Sequence, residues 1–280
     1  VSTRGLGANP RVEVLDVQQI GKNAVLANPD GSTSLLNDRP PLLLHAVVHQ
    51  DNGASYPVTV IANHLRSLND IDSIAAGSNG WPTAGARVRA KRAEQARFTA
   101  QLVQDEQTAH PGSKIVMVGD FNAFEFNDGY TDVLGIIKGE EAPEDQVLTW
   151  VPSPLTSILV DGSQLIGDPA QRYSYVFEGN AQSLDHVLVN EALALDDVGL
   201  SVDHARINAD FGVFHYGDAA TPLRVSDHDR VRLSIKVPAF RSADLSVQLQ
   251  ASAASAHAGS DIGYTAHVGN AGPNAADFAA

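Results

Sequence analysis

Four apolar runs in this chain break off abruptly at acids, amides or imidazoles, and that pattern constrains the fold more than any other feature. In IVMVGDFN (115–122) and VTVIANHL (58–65) the polar residues Asp120, Asn122, Asn63 and His64 follow the run. In SLDHVLVN (183–190) and VSDHDRVRLSI (225–235) the pairs Asp185–His186 and Asp227–His228 precede it. Runs of four to eight aliphatic or β-branched residues read as strands. If the first two strands run antiparallel to the second two, all four polar ends meet on one sheet edge.

The rest of the chain supports a strand-rich reading. RVEVLDVQQI (11–20) alternates apolar and polar residues, and PPLLLHAVVH (40–49), YSYVF (173–177) and VRLSIKV (231–237) are further strand candidates. Residues 66–86, rich in Gly, Ser and Asn, predict a long loop. From Arg87 to about Gln107 the spacing turns helical, with Val88, Ala96, Thr99, Leu102 and Val103 on one stripe, until His110, Pro111 and Gly112 end it. Many strands with one clear helix predict a mixed α/β architecture.

The gathered residue types are three carboxylates, an amide and two or three imidazoles. Carboxylate and amide oxygens suit a hard cation such as Mg²⁺, Mn²⁺ or Ca²⁺, which polarises a phosphoryl oxygen and positions water. A histidine whose ring is fixed by a carboxylate exchanges a proton near neutral pH. Metal-assisted phosphoester hydrolysis follows as the reaction class. The absence of cysteine excludes disulfides and thiolate metal sites. A net charge of -14 repels polyanions at long range, so a nucleic-acid substrate needs local arginines or bound cations. Part of that charge sits in GEEAPEDQ (139–146), read as a solvated loop.

GDFN (119–122), NHL (63–65), LDHVLV (184–189) and SDHD (226–229), in this order, resemble the endonuclease/exonuclease/phosphatase superfamily, which includes pancreatic-type deoxyribonuclease. NDRPPL (37–42), NHLRS (63–67), the Arg-rich helix and GDFNA followed by DGYTDVL are similar to large secreted bacterial nucleases. The resemblance covers residues 1–237 and implies a four-layer α/β sandwich, two sheets packed face to face with helices outside. It implies that His228 acts on the attacking water or on the phosphate, and that Asp185 orients it. Asp120 would act on the nucleophilic water or a second cation, with Asn122 gripping a phosphate oxygen. Asp227, with Asp120 and Asn122, would hold the metal, Mg²⁺ or else Mn²⁺ or Ca²⁺. His64 would contact the phosphate and protonate the leaving oxygen. Asn63, Arg66 and Arg39 are the candidates for gripping substrate, DNA first and RNA as well.

The family's first sheet also supplies an Asn and a metal-binding Glu, and nothing in residues 1–36 fits either. The chain therefore reads as the C-terminal part of a catalytic domain, and an isolated chain is expected to lack one metal ligand. Two readings stand beside the nuclease: a phosphatase or phospholipase-C-like member of the same superfamily, and a non-catalytic surface or adhesion fragment.

Other polar residues read as structural. His186 points away from Asp185 if its strand is regular, and His45, His49, His204 and His215 have no motif around them. Arg92 and Gln95 fall inside the apolar stripe of the helix, so Arg92 is expected to need a buried acid partner. Trp81 reads as a loop anchor. Beyond a linker at 238–242, residues 243–280 turn to short alternating strands and small residues, resembling a truncated Ig-like module of bacterial surface and secreted proteins. That resemblance implies an extracellular or cell-surface setting. The N-terminus VSTRGLGANP shows no signal-peptide pattern, no apolar run is long enough to span a membrane, and no protein partner can be inferred.

Overall fold

The apolar runs form strands. In the computed structural model, which describes residues 5–6, 9–50, 55–196, 199–237 and 244–271, six strands make one sheet. They are β1 (Val12–Gln19), β2 (Leu42–His49), β3 (Ser55–His64), β4 (Lys114–Asp120), β5 (Leu159–Asp161) and β6 (Asp185–Asn190). Their order across the sheet is β1-β2-β3-β4-β6-β5. All neighbours are antiparallel except β3 and β4, which are parallel. A parallel pair needs a long crossover, and helix α1 (Ala84–Ala109) supplies it.

Helix α1 starts where the Thr83 hydroxyl accepts the Ala86 amide at 3.0 Å, a side-chain cap that satisfies an otherwise orphaned donor. Its stripe of Val88, Ala96, Thr99, Leu102 and Val103 is buried, as the spacing predicts. A second helix, α2 (Val133–Lys138), is too short for periodicity to reveal; Asp132 caps its start and Gly139, in a left-handed conformation, ends it.

The large sheet buries different residues on its two faces, because side chains alternate along a strand. Ile61, Met117 and Leu188 face the helices and pack with Val103, Leu134 and Ile137. Burial of each such side chain contributes about 1.5–3 kcal/mol. On the opposite face Val116, Val187 and Val189 pack against Leu200, Val231, Leu233 and Ile235. The last four belong to a small second sheet of two antiparallel strands, β7 (Gly199–His204) and β8 (Val231–Lys236). The fold is the α/β sandwich expected from the sequence. Among the described residues, helices pack on one face of the large sheet and the two-stranded sheet on the other.

The chain divides into two compact units, residues 1–237 and 238–280. In the second, β9 (Leu245–Ala251) pairs with β10 (Tyr264–Asn270) as an antiparallel hairpin whose side chains are all exposed. The linker expected at 238–242 lies outside the described residues. No helix of the described residues is long and apolar enough to cross a membrane.

Candidate active site

Strand register builds the site. His64 at the end of β3 pairs with Asp120 at the end of β4, and Asp120 pairs with Asp185 at the start of β6. Directly paired residues carry their side chains on the same face. The three therefore form a row across the sheet, on the face that Val118 and Val187 share with the second sheet. The antiparallel arrangement of β6 against β4 is the one the sequence argument required.

The fourth polar end arrives by a different route. His228 lies ahead of β8, a strand of the second sheet, so it is not on the same sheet edge as the other three. An isolated bridge between Tyr175 and His228 carries it across. The Tyr175 ring stacks on the imidazole at 4.5 Å, and His228 Nδ1 sits 2.6 Å from Asp185 Oδ2. The Ser174 hydroxyl, fully buried, donates to Asp185 Oδ2 at 2.6 Å and accepts the Asp185 amide at 3.1 Å. Asp229, next to His228 and also fully buried, accepts the amides of Ile207 and Asn208 at 3.1 and 2.8 Å, while Asn208 donates to the His228 carbonyl. Ser174, Tyr175, Asn208 and Asp229 hold the His228–Asp185 pair, and sequence reasoning missed all four. SDHD contained Asp229, but nothing in the motif separated a buried anchor from a groove acid.

Asp120 and Asn122 meet through a turn. β4 ends at Asp120, and Asn122 has φ 50°, a left-handed conformation that Asn tolerates better than most residues. The Asn122 amide donates to Asp120 Oδ1 at 2.8 Å, closing a local side-chain turn. The Asn122 side-chain nitrogen donates to Asp120 Oδ2 and to the Leu65 carbonyl, both at 3.0 Å. Both of its N–H groups are thereby committed inside the protein, so in this geometry Asn122 orients Asp120 instead of offering a donor to a phosphate. Gly119, at φ 139°, has no alternative: an added Cβ would lie 1.9 Å from the Asn63 carbonyl oxygen.

Arg92 departs from expectation. It is 1% exposed, and its guanidinium finds two carbonyls in place of an acid, those of Arg66 and of Asn122, the latter at 2.7 Å. Burial pulls its pKa down to about 10, with the charge of Asp128 working against that fall. Gln95 beside it accepts the Arg66 amide and donates to the Leu36 carbonyl. One helix thus clamps the loops that follow His64 on β3 and Asp120 on β4.

The row opens onto a groove of about 810 Å³. His64, Asp120, Asn122, Asp185, Asp227 and His228 all reach it, and so do Arg39 and Arg66. Asn63 does not. It pairs with Gly119 and is buried behind the row, with both side-chain amide atoms lacking a hydrogen-bond partner. His186 is fully buried on the helix face, with Nε2 2.8 Å from the Ala123 carbonyl and its ring edge-on to Phe121.

The electrostatics are those of crowded ionisable groups. Burial and then the charge of Asp185 push the Asp120 pKa up. Burial pulls His64 down against the attraction of Asp120, 3.3 Å away. Burial also opposes protonation of His228, but the hydrogen bond and charge of Asp185, joined by Asp120 and Asp227, outweigh it and raise the pKa. Ligand atoms of Asp120, Asp185 and His228 all lie within 4.8 Å of one another. Two carboxylates and an imidazole that close fit a divalent cation. Asp227, expected as a metal ligand, stands exposed on the groove lip and outside that group of three.

The sequence profile of the endonuclease/exonuclease/phosphatase family matches residues 20–228. The chain belongs to that family. Members of the endonuclease/exonuclease/phosphatase family act on phosphoesters and use divalent metals. No curated protein matches the chain in sequence. Among solved structures it is similar to truncated Caenorhabditis elegans TDP2, with 14% identity, TM-score 0.44, and coverage of 82% of this chain and 69% of that one. An endonuclease/exonuclease/phosphatase from Bacteroides vulgatus gives 14% identity and TM-score 0.41 over 80% of this chain and 66% of its own. The human nocturnin catalytic domain with bound sulfate gives 13% and 0.37 over 80% and 61%. Against C. elegans TDP2 at greater length, the match spans 53% of that chain, about half.

Proposed function

We propose that this protein is a divalent-metal-dependent phosphodiesterase that hydrolyses nucleic acid, DNA first and RNA as well, with little sequence specificity. The observation that carries this reading is the row His64–Asp120–Asp185 closed by His228 at 2.6 Å from Asp185. With Nδ1–H given to Asp185, His228 keeps Nε2 as the ring atom able to take a proton from an attacking water. Asp185 and the stacked Tyr175 fix the ring, so the proton acceptor is aimed before substrate arrives. Asp120, held by Asn122, orients that water. His64, 3.3 Å from Asp120 at the other end of the row, is the imidazole placed to pass a proton to the leaving oxygen. A divalent cation held by Asp120 and Asp185, with Asp227 at the lip, would offset the phosphate charge and polarise its oxygen.

Substrate grip falls to Arg39 and Arg66, the cations on a rim otherwise rich in acids. An open groove of about 810 Å³ suits a chain lying across it better than a small monoester enclosed in a pocket. Local arginines and a cation overcome the net charge of -14 at short range. The resemblance to secreted bacterial nucleases, with the Ig-like stretch after residue 243, supports an extracellular or cell-surface setting.

The test is incubation of the full-length product of the reading frame with supercoiled plasmid, with Mg²⁺ or with chelator. Nicking that requires the metal is the expected result. Release of inorganic phosphate from monoesters without nicking would favour the phosphatase alternative, and no turnover of either kind would overturn the reading.

A further inference from the structure

A second group of metal-ligating side chains lies at the far end of helix α1. His45 on β2 places Nε2 2.9 Å from Glu106 Oε2, and His110, four residues after Glu106 at the helix C-terminus, brings its ring to 5.6 Å from that of His45. One ligand atom from each of the three lies within 4.8 Å of the others. The group is well separated from the groove. His45 pairs with Thr59 on β3, five residues before His64, which is roughly 16 Å along a strand. It also faces the helices and not the second sheet.

We propose that His45, Glu106 and His110 form a zinc-type site, independent of the catalytic groove, with Asp16 behind it. Three features support this beyond proximity. His110, which caps α1, donates its backbone N–H to the Glu106 carbonyl one turn back at 2.9 Å, so Glu106 and His110 converge from the end of one element while His45 approaches from another. A β-bulge at Leu15 shifts the register of β1 so that Asp16, and not Leu15, stands opposite His45; bulges re-aim side chains in this way. Asp16 Oδ2 is 3.8 Å from His45 Nδ1, which leaves one imidazole between two carboxylates.

That sandwich is chemically informative. A neutral imidazole carries one N–H. Without a metal, Nε2–H donates to the Glu106 carboxylate at 2.9 Å; a cation taking the Nε2 lone pair displaces that proton, and the ring then carries its N–H on Nδ1, the side Asp16 faces at 3.8 Å. A cation between ring and carboxylate meets a lone pair from each. A carboxylate behind a histidine ring is also the usual way of fixing the tautomer of a metal ligand. Two imidazoles and one carboxylate match the donor types zinc takes, at distances of about 2.0–2.2 Å. Glu106 is buried and His45 half-buried, whereas His110 is exposed and is the ligand with room to swing in.

The test uses the full chain carrying Asp120→Asn and His228→Ala, which disables the groove as a competing metal site. Titration with Zn²⁺ alone, followed by calorimetry, should give one tight equivalent per chain, and Co²⁺ in its place should give the visible absorption of a four-coordinate ion. Adding His110→Ala, an exposed change that spares the fold, or Glu106→Gln should weaken Zn²⁺ binding by more than about tenfold. Asp16→Asn should weaken it by about tenfold, the usual effect of losing a carboxylate behind a ligand. In the otherwise unaltered protein, His110→Ala should leave phosphodiester turnover unchanged. Absence of the tight equivalent, or His110→Ala and Glu106→Gln chains that bind Zn²⁺ as their parent does, overturns the proposal.

Discussion

The two faces of the large sheet treat adjacent residues of the same strands in opposite ways. Towards the second sheet, His64, Asp120 and Asp185 stand in a row at the groove. One residue away on each strand, Asn63, Gly119 and His186 point into or press against the helical side. The first face keeps its polar groups mutually crowded, with pKa values pushed in different directions. The second satisfies its histidine with a backbone carbonyl and a neighbouring ring. Type of residue does not separate the two faces. What separates them is whether a polar group is left facing solvent and other charges, or is closed off by backbone and packing.

Substitutions can break this comparison. The largest effect belongs to Asp120→Asn on the groove face: turnover should fall by about a thousandfold or more, with the thermal midpoint little changed, as read by single-turnover assays beside calorimetry. A variant that instead unfolds would place Asp120 among the structural residues. Next comes Arg92→Met, which leaves the carbonyls of Arg66 and Asn122 without their buried donor. It should cost about 2–4 kcal/mol in denaturant unfolding and also slow turnover, because the loops that leave the row at His64 and Asp120 lose their common tie.

On the closed face, His186→Leu should cost about 1–3 kcal/mol while turnover per folded molecule stays near that of the parent. A large loss of turnover at unchanged stability would contradict the division between faces. The smallest effect concerns His204 in the second sheet, 5% exposed and with both ring nitrogens lacking hydrogen-bond partners. Burial lowers its pKa from the ordinary 6.5, so on acidification the unfolded chain takes up a proton before the folded one does. Stability attributable to this residue therefore falls as pH drops from about 6.5 and levels off below the folded pKa. Unfolding midpoints of His204→Phe, followed across that range, should show a shallower acid loss than the parent.

Much of this was legible in the sequence because strand ends are marked by composition. Apolar runs that stop at Asp, Asn or His located the row, and helical spacing located the buried stripe of α1. Four things were not legible. The assignment of β8 to a separate sheet depends on pairing with β7, and the local pattern of VRLSIKV is the same in either sheet. Arg92 was recognised as buried, but its partners are carbonyls, which every residue carries and no sequence displays. Asn122 sits in a left-handed turn that makes it Asp120's support, a role its identity allows but its spacing does not reveal. The bulge that sets Asp16 against His45 is silent for the same reason: one extra residue in a strand leaves the composition unchanged.

The central claim is that His228, held by Asp185, works with the sheet row on a phosphodiester. The most direct measurement compares Mg²⁺-dependent plasmid nicking by the full-length product with that of its His228→Ala form, at matched folded concentration confirmed by circular dichroism. Nicking that falls by roughly a thousandfold with the fold intact is the predicted result. Near-normal nicking by His228→Ala would contradict it.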